Sequence, residues 1–417
     1  MIGPFHRICI AAFLLDSALM IGFVAIPFYV LQQLGGGTAM VGTLMAVYAV
    51  SYAGICLGSA QFVSRSRNGL HWALGGMVVF ATCFALIPWV PTFWGCAGLV
   101  ALGSAALALV WPALHAWVGA EPIPEDRARR MMVFNICWSA GFAFSPLIAG
   151  PLYDIDYRLP FVALFLCGIA TFLLILSLPH ERDFFGAATT EVLEARKEHD
   201  RESEVYLYSA WCATMVANLL VGVTRSVFPE RILKLVTSDQ LQVLFESESI
   251  VGLHNYPATL YACLAFLLSL VTASCFLIMG RTKGWRHRIG LILGLQGLTA
   301  FAFLVLGHTT SLFVMALCFI IAGANLGVAF FSSTYYSLSN PVYKHRRVAI
   351  NESASGTGRF SGSFVFGILA ERFGLAFPFH LTPFVVIAAM AAEWQLIQKR
   401  RKSLANNGGI SGIISME

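Results

Sequence analysis

The sequence predicts an all-α membrane protein with twelve transmembrane helices arranged as two six-helix bundles. Three observations lead to this fold: the composition, a series of long apolar runs, and one long polar stretch in the middle of that series. The 417 residues are 58% hydrophobic and only 12% charged, whereas a soluble protein carries roughly twice that charged fraction. This composition argues against a soluble enzyme, a nucleic-acid-binding protein and a disordered chain.

Twelve apolar runs in the sequence are long enough to span a bilayer, whose core of about 30 Å needs roughly 20 apolar residues per helix. Their length and uniform apolarity exclude a membrane barrel, whose strands of roughly ten residues alternate apolar and polar side chains. Since backbone groups in lipid must be hydrogen-bonded within each span, the runs are predicted to be helices. They cover residues 8–31, 38–62, 71–90, 93–119, 131–153, 160–179, 206–228, 257–280, 288–307, 311–337, 348–370 and 377–397.

The first run is predicted to be a retained helix rather than a signal peptide, because it contains Asp16 and Pro27 and lacks a small-x-small cleavage site. The chain is therefore predicted to be an integral multi-pass membrane protein, located in the inner (plasma) membrane if its source is a bacterium. Of its 27 Lys and Arg residues, 21 fall on the side of the N-terminus, 4 on the other side and 2 inside spans. This bias predicts that both termini are cytoplasmic.

The polar stretch divides the chain into two halves. We predict an N-terminal bundle at 1–180, a cytoplasmic linker at 181–205, a C-terminal bundle at 206–398 and a cytoplasmic tail at 399–417. The linker carries charges of both signs, which favours a solvated tether over a partner-binding helix.

The two halves also match each other in sequence. An offset of 217 residues places Arg130 on Arg347, Gly141 on Gly358, Gly150 on Gly367, Leu152 on Leu369 and Asp154 on Glu371. An offset of 202 places Asp16 on Asn218 and Pro27 on Pro229. Internal repeats of this size are expected where two bundles rock about a central binding site.

Three helices carry glycine and proline patterns. The first reads Gly22-x4-Pro27-Phe28-Tyr29-x4-Leu34-Gly35, the fifth Gly141-x3-Ser145-Pro146-x2-Ala149-Gly150, and the eleventh Gly358-x3-Gly362-Ser363-x2-Phe366-Gly367. Together with the six-plus-six arrangement and the central linker, these patterns resemble the major facilitator superfamily. The resemblance covers nearly the whole chain and implies a secondary transporter with the major facilitator fold.

One family signature is incomplete. The loop after the second helix, which in the family reads G-x-L-A-D-R-x-G-R, is GSAQFVSRSRNG from Gly58 to Gly69, with Arg65 and Arg67 but without an Asp. The charge relay that the family assigns to this loop, which helps to lock the outward-facing state, is therefore in doubt for this chain.

Five ionisable residues fall inside predicted spans, where a charge costs at least ~2.5–3.5 kcal/mol on insertion scales and so suggests function. They are Asp16, Arg225, Glu352, Arg359 and Glu393. The resemblance implies that the helix of Asp16 lines a central cavity, where this acid can take up a proton or face a cationic substrate. The alternative is an acid that only packs helices together through a hydrogen bond.

Arg359 and Glu352 share a helix face but stand roughly 10 Å apart, too far for a direct pair. Arg359 therefore needs Asp16, a substrate carboxylate or phosphate, or a water bridge to Glu352. The small neighbours Gly356, Gly358 and Gly362 are equally compatible with a tight packing seam. Glu352 is assigned to an intracellular gate, together with Arg65 and Arg347, or to an acidic charge at the N-terminal end of its helix.

Arg225 shares a face with Asn218, so both are candidates for substrate binding or coupling. Arg225 is near the outer end of its span, and the alternative is that it extends to the surface. Glu393, which precedes the sequence KRRK, is predicted to extend to the inner surface. The uncharged residues Trp138 and Asn325 could stack on or hydrogen-bond a substrate, although polar residues also join helices.

The leading hypothesis is a secondary active transporter that moves a small organic solute by alternating access, coupled to protons through Asp16. Balanced interior charges favour an anionic, zwitterionic or neutral polar solute. The alternatives are a drug or metabolite exporter of the same fold, and a transporter-like membrane protein that acts in assembly or sensing. No P-loop is present, and we expect no enzymatic activity, cofactor, metal or nucleic-acid partner. The expected partners are the solute, H+ and membrane lipid, with the monomer as the functional unit.

Overall fold

The computed structural model describes residues 3–65, 69–119, 124–178, 200–242, 256–339 and 344–414. These ranges contain fourteen α-helices and one short 3-10 turn at Ile87–Trp89. The helices are α1 (Pro4–Gln32), α2 (Thr38–Arg65), α3 (Gly69–Leu86), α4 (Phe93–Gly119), α5 (Pro124–Phe144), α6 (Pro146–Ile155), α7 (Leu159–Leu176), α8 (Asp200–Ser226), α9 (Phe228–Thr237), α10 (Pro257–Arg281), α11 (Ile289–His308), α12 (Leu312–Leu338), α13 (Lys344–Phe373) and α14 (Phe377–Ile414).

Two pairs of consecutive helices each form one membrane crossing. α5 is followed by α6 after Ser145, and α8 by α9 after Val227. Each break has a proline in the first turn of the second helix, Pro146 or Pro229. Proline has no N–H to continue the hydrogen-bond ladder of the preceding helix. The fourteen helices therefore make the twelve crossings that the sequence predicts.

Eleven of the twelve crossings are long and apolar enough to span a membrane, counting only the described residues. The exception is α13, which is 30 residues long but carries Glu352 and Arg359 in its interior. α13 packs along α8 in its own half and along α2 in the other half. Helices of both halves therefore cover α13, and its two interior charges, Glu352 and Arg359, lie near α2 rather than in lipid.

Glycines bring the backbones of α13 and α8 into contact. A Cβ atom on Gly358 would collide with the carbonyl oxygen of Met215, and one on Gly362 with that of Leu219. Gly356, by contrast, has open space at this position. Of the three small neighbours named in the sequence, two therefore form the predicted seam and one does not.

The same seam occurs in the N-terminal half. A Cβ atom on Gly141 of α5 would collide with the carbonyl oxygen of Phe13 of α1. Gly141 and Gly358 differ by 217 in number, while Phe13 and Met215 differ by 202. Both offsets found in the sequence thus join residues that make an equivalent contact.

Two helix ends differ from the sequence prediction. α8 begins at Asp200, inside the range 181–205 predicted as linker, while residues 181–199 of that linker lie outside the described residues. α14 continues without interruption to Ile414, through most of the range predicted as a tail.

The helices group into an N-terminal bundle, α1 to α7, and a C-terminal bundle, α8 to α14. We call the membrane face where α1 begins the terminal side and the face where α1 ends the far side. The bundles meet where α2 packs on α13 and where α5 and α6 pack on α10. Among the described residues, the hydrogen bonds between the bundles lie on the far side, apart from one contact at Arg225. The bundles are therefore closed against each other on the far side.

Candidate functional site

Asp16 lies near the middle of α1, where α1 faces the C-terminal bundle. It is 5% exposed, and its Oδ2 atom is buried without a hydrogen-bond partner among the described residues. Since α1 begins at Pro4, Asp16 is roughly 18 Å from the helix start at 1.5 Å per residue. An ionised acid at this depth is costly unless a cation accompanies it.

Arg225, near the end of α8, reaches across to the N-terminal bundle. Its guanidinium carbon lies 4.8 Å from the centre of the Phe23 ring and 5.7 Å from that of Phe142. Its Nη2 atom is 3.7 Å from the sulfur of Met20. Cation–π contacts of this kind stabilise by about 0.5–2 kcal/mol. Arg225 thus points between the bundles, and the alternative that it extends to the surface is wrong.

Arg359 on α13 is the second cation near Asp16. Both guanidinium groups lie within electrostatic range of the Asp16 carboxylate, but none of the salt bridges between described residues joins either arginine to it. The Nε atom of Arg359 is buried and has no hydrogen-bond partner in the described part of the chain. One carboxylate and two guanidinium groups therefore face each other between the bundles with unused hydrogen-bonding capacity.

Two tyrosines that the sequence does not single out complete this arrangement. Tyr48 on α2 lies within electrostatic range of all three charged groups and packs edge-on against Phe23, with ring centres 4.9 Å apart. Tyr261 on α10 is buried next to Arg225. Both occur in uniformly apolar runs, where a tyrosine is an ordinary packing residue and gives no separate signal. We call these five residues the central cluster: Asp16, Tyr48, Arg225, Tyr261 and Arg359.

A small pocket adjoins the central cluster on its far side. Its lining includes Arg225, Tyr261, Met20, Phe23 and Ser269, which come from both bundles. The free space suits ordered water rather than an organic solute. The far side of the cluster is therefore closed in this conformation.

On the terminal side of the central cluster, α13 carries the acid Glu352. Glu352 lies two turns from Arg359 toward the terminal side and is exposed. It is within electrostatic range of Tyr52 and Cys56 on α2, yet no hydrogen bond between described residues joins the bundles at this level. Within the described residues, hydrogen bonds thus join the bundles on the far side of the cluster and not on its terminal side.

The other two residues predicted for the gate are placed differently. Arg347 donates a hydrogen bond of 2.7 Å to Oε1 of Glu204, which joins α13 to α8 within the C-terminal bundle. Arg65 is the last residue of α2, and its side chain lies outside what the structure describes. The structure therefore connects Arg347 to its own bundle and leaves Glu352 as the gate candidate that faces the other bundle.

The three uncharged candidates lie in separate places. Trp138 is half-buried on α5 and donates to Oδ1 of Asn135 at 3.0 Å. Asn218 is buried and donates to the carbonyl oxygen of Thr214 within α8 at 2.8 Å. Asn325 is buried on α12. Within the described ranges none of the three forms a hydrogen bond with the central cluster.

Glu393 on α14 does not extend to the surface, contrary to the prediction. Its side chain is fully buried, and Oε1 accepts a hydrogen bond of 2.8 Å from Nε2 of Gln296 on α11. Cys212 on α8 also lies next to it. The basic residues that follow Glu393 in the sequence indicated the end of a span. The helix instead continues past them, and the side chain of Glu393 faces the interior of the bundle.

The chemistry of the central cluster suits a proton and an anion. A single carboxylate beside two guanidinium groups repels a metal cation, because the local charge is positive. Elsewhere in the described ranges, no group of three or more His, Cys, Asp or Glu side chains is placed to hold a metal ion.

Comparisons with known proteins agree with this architecture. The sequence profile of the Major Facilitator Superfamily matches residues 8–347. A bacterial homolog of the human lysosomal transporter Spinster, in an inward-facing and unoccupied conformation, superimposes with a TM-score of 0.73 at 14% identity over 96% of this chain and 98% of that one.

Two further solved structures have the same fold. The nucleoside transporter NupG gives a TM-score of 0.68 at 11% identity over 95% of this chain and 99% of that one. A POT family transporter in complex with 5-aminolevulinic acid gives 0.68 at 13% identity over 95% and 96%. No curated protein sequence matches the chain significantly.

Proposed function

Because the chain belongs to the Major Facilitator Superfamily, a family of membrane transporters, we propose that it moves a small organic solute by alternating access and couples this movement to protons. It is a multi-pass integral membrane protein and a transporter rather than an enzyme. One observation supports the proposal most: Asp16, Arg225 and Arg359 converge between the bundles without pairing directly.

The charges of the central cluster link a proton to an anion. When Asp16 is ionised, its charge offsets one of the two guanidinium charges. When Asp16 is protonated, Arg225 and Arg359 are both free to bind a carboxylate or phosphate, for which Arg is suited by its planar donors. Proton binding therefore strengthens anion binding, and by reciprocity the anion strengthens proton binding.

The surroundings of the cluster narrow the solute class. Phe23 and Tyr261 offer aromatic surface beside Arg225, so we propose an amphipathic monoanion or zwitterion with one acidic group. A solute with two or more negative charges would exceed the two guanidinium charges once Asp16 ionises. 5-Aminolevulinic acid, the ligand in one of the similar structures, is a zwitterion of this kind.

The excess of basic residues on the side of the N-terminus supports a cytoplasmic location for the terminal side. In this proposal, the conformation with a closed far side is the inward-open state, and the solute exchanges with the cytoplasm from the space beside Glu352. A single chain holds both bundles and the whole central cluster, so the monomer suffices.

The test is uptake into proteoliposomes with an imposed pH gradient. The panel contains radiolabelled aromatic and aliphatic monocarboxylates, amino acids, nucleosides and organic cations. We expect either the monocarboxylates or the amino acids to accumulate. A pH-sensitive dye should record protons moving together with the solute. Asp16→Asn abolishes gradient-driven accumulation and spares solute exchange at equal pH, whereas Asp156→Asn, an exposed acid on the far side, changes neither.

The other hypotheses give different results in the same vesicles. A drug or metabolite exporter moves organic cations or neutral solutes outward as protons enter. The imposed pH gradient then drives the solute in the direction opposite to that of the protons. A protein used in assembly or sensing transports nothing in the panel, and Asp16→Asn then changes only complex formation.

A further inference from the structure

The far side is held closed by carboxylates that cap helices of the opposite bundle. Asp154 at the end of α6 accepts hydrogen bonds from the backbone N–H of Ala258 at 3.3 Å and of Thr259 at 2.7 Å. The hydroxyl of Thr259 also donates to it at 2.6 Å. These N–H groups belong to the first turn of α10, where the helix itself offers no acceptor. An acid of the N-terminal bundle thus caps a helix of the C-terminal bundle.

The reverse contact lies at the other place where the bundles meet, between α2 and α13. Oε2 of Glu371 at the end of α13 accepts a hydrogen bond of 3.0 Å from the backbone N–H of Ala39 in the first turn of α2. Glu230 on α9 adds a second bond of 3.0 Å, from the N–H of Thr38. Here an acid of the C-terminal bundle caps a helix of the N-terminal bundle.

The two caps occupy equivalent positions of the internal repeat. Asp154 and Glu371 differ by 217, and each follows a glycine by four residues, Gly150 or Gly367. A Cβ atom on Gly150 would lie 2.7 Å from the carbonyl oxygen of Ala258, and one on Gly367 would lie 2.7 Å from that of Thr38. In both halves, therefore, a glycine allows close approach to the backbone of the opposite bundle, and an acid one helical turn later caps the helix that is approached.

We propose that Asp154 and Glu371 are paired positioning residues of the transport cycle, which hold the far side closed and must release α10 and α2 together when it opens. Because both caps cross the bundle interface, neither survives a separation of the bundles there. A carboxylate at a helix N-terminus interacts favourably with both the free N–H groups and the helix dipole. Losing one cap is expected to raise the far-side-open population by about threefold to thirtyfold.

The inference rests on the alternating access of the proposed function, but its test needs no solute. Hydrogen–deuterium exchange of the full chain in nanodiscs reports on the first-turn amides of α2 and α10 separately. These amides have acceptors only while the caps are formed, so they exchange rapidly whenever the far side opens. A failure to transport would leave this measurement valid.

The decisive observation is the effect of each variant on the distant cap. Asp154→Ala is expected to speed exchange strongly at Ala258 and Thr259, which lose their acceptor, and also, by about threefold to thirtyfold, at Thr38 and Ala39, whose acceptors remain. Glu371→Ala is expected to do the same in reverse. Asp156→Ala is the matched control, since Asp156 is exposed and accepts a hydrogen bond of 2.8 Å from the nearby N–H of Arg158 in its own bundle, and it should change neither peptide.

If each alanine variant speeds exchange only at the helix that it caps, the two acids are independent local caps and the proposal is overturned. The variants Asp154→Asn and Glu371→Gln keep an acceptor oxygen and remove the charge, so they provide the test should the alanine proteins not fold. They are expected to show the same coupled pattern with a smaller increase. A purely local increase in these variants overturns the proposal equally.

Discussion

The guanidinium carbon of Arg225 lies 4.8 Å from the centre of the Phe23 ring, so a cation of the C-terminal bundle rests on an aromatic side chain of the N-terminal bundle. The contact fixes where the charge stands relative to Asp16 when the far side is closed. It also breaks when the bundles part, which makes the position of Arg225 dependent on the state of the transporter.

Arg225→Lys is expected to reduce solute affinity at least tenfold, because an ammonium group has neither the planar donors nor the stacking surface of guanidinium. The melting temperature should change little, because a lysine ammonium group can still make a cation–π contact with Phe23. Binding to the purified protein gives the affinity and thermal unfolding gives the stability. Arg231→Lys is the contrast: Arg231 donates to the carbonyl oxygen of Thr309 within the C-terminal bundle, so its replacement should lower stability and spare affinity.

Anion affinity is expected to fall as pH rises through the titration of Asp16. Protonated Asp16 leaves both guanidinium groups to the solute, while ionised Asp16 competes with it for them. Isothermal titration across pH should therefore give a sloping affinity for the wild type and a flat one for Asp16→Asn. A slope of equal size in both proteins would remove Asp16 from the coupling.

Gly362→Ala is expected to destabilise the protein by about 1–3 kcal/mol, because the added methyl group meets the carbonyl oxygen of Leu219 and forces α13 away from α8. Gly356→Ala lies on the same helix but faces open space, and it should be neutral or stabilising by up to about 1 kcal/mol through helix propensity. Thermal unfolding of the two variants side by side measures the difference. Equal effects would argue against a tight seam.

Glu393→Ala is expected to lower stability by about 1–3 kcal/mol, because it leaves the buried amide of Gln296 without its acceptor. Glu393→Gln retains an acceptor oxygen and should cost less. Gln395→Ala, at an exposed position two residues further on, should cost almost nothing. Thermal unfolding ranks the three; a ranking in which Gln395→Ala matches Glu393→Ala would contradict the buried pair.

The number of crossings could be predicted from the sequence because eleven are long, strongly apolar runs, and because α13, which is more polar, repeats the glycines of α5 and α6 at a fixed offset. The direction in which a single side chain points could not be predicted from the sequence. Glu393 lies beside exposed Trp394 and Gln395 on α14, and nothing in their order states which one turns inward. Arg225 had two possible environments, and only the position of α1 decides between them.

The charged residues of the central cluster could be predicted from the sequence, but its two tyrosines could not. Asp16, Arg225 and Arg359 stand out because a charge in lipid is costly, whereas Tyr48 and Tyr261 are compatible with either a packed core or a site. Their role depends on which helices meet, which follows from the packing of α2 and α10 against the opposite bundle.

The polarity of α13 has a consequence for how the protein is made. A segment that carries Glu352 and Arg359 gains too little from lipid to enter the bilayer alone. Its two packing partners, α8 and α2, precede it in the chain and have already left the ribosome when it emerges. Insertion of the eleventh crossing therefore depends on α2 and α8 being already assembled in the membrane. A defect in their assembly should leave α13 outside the membrane even though its own sequence is intact.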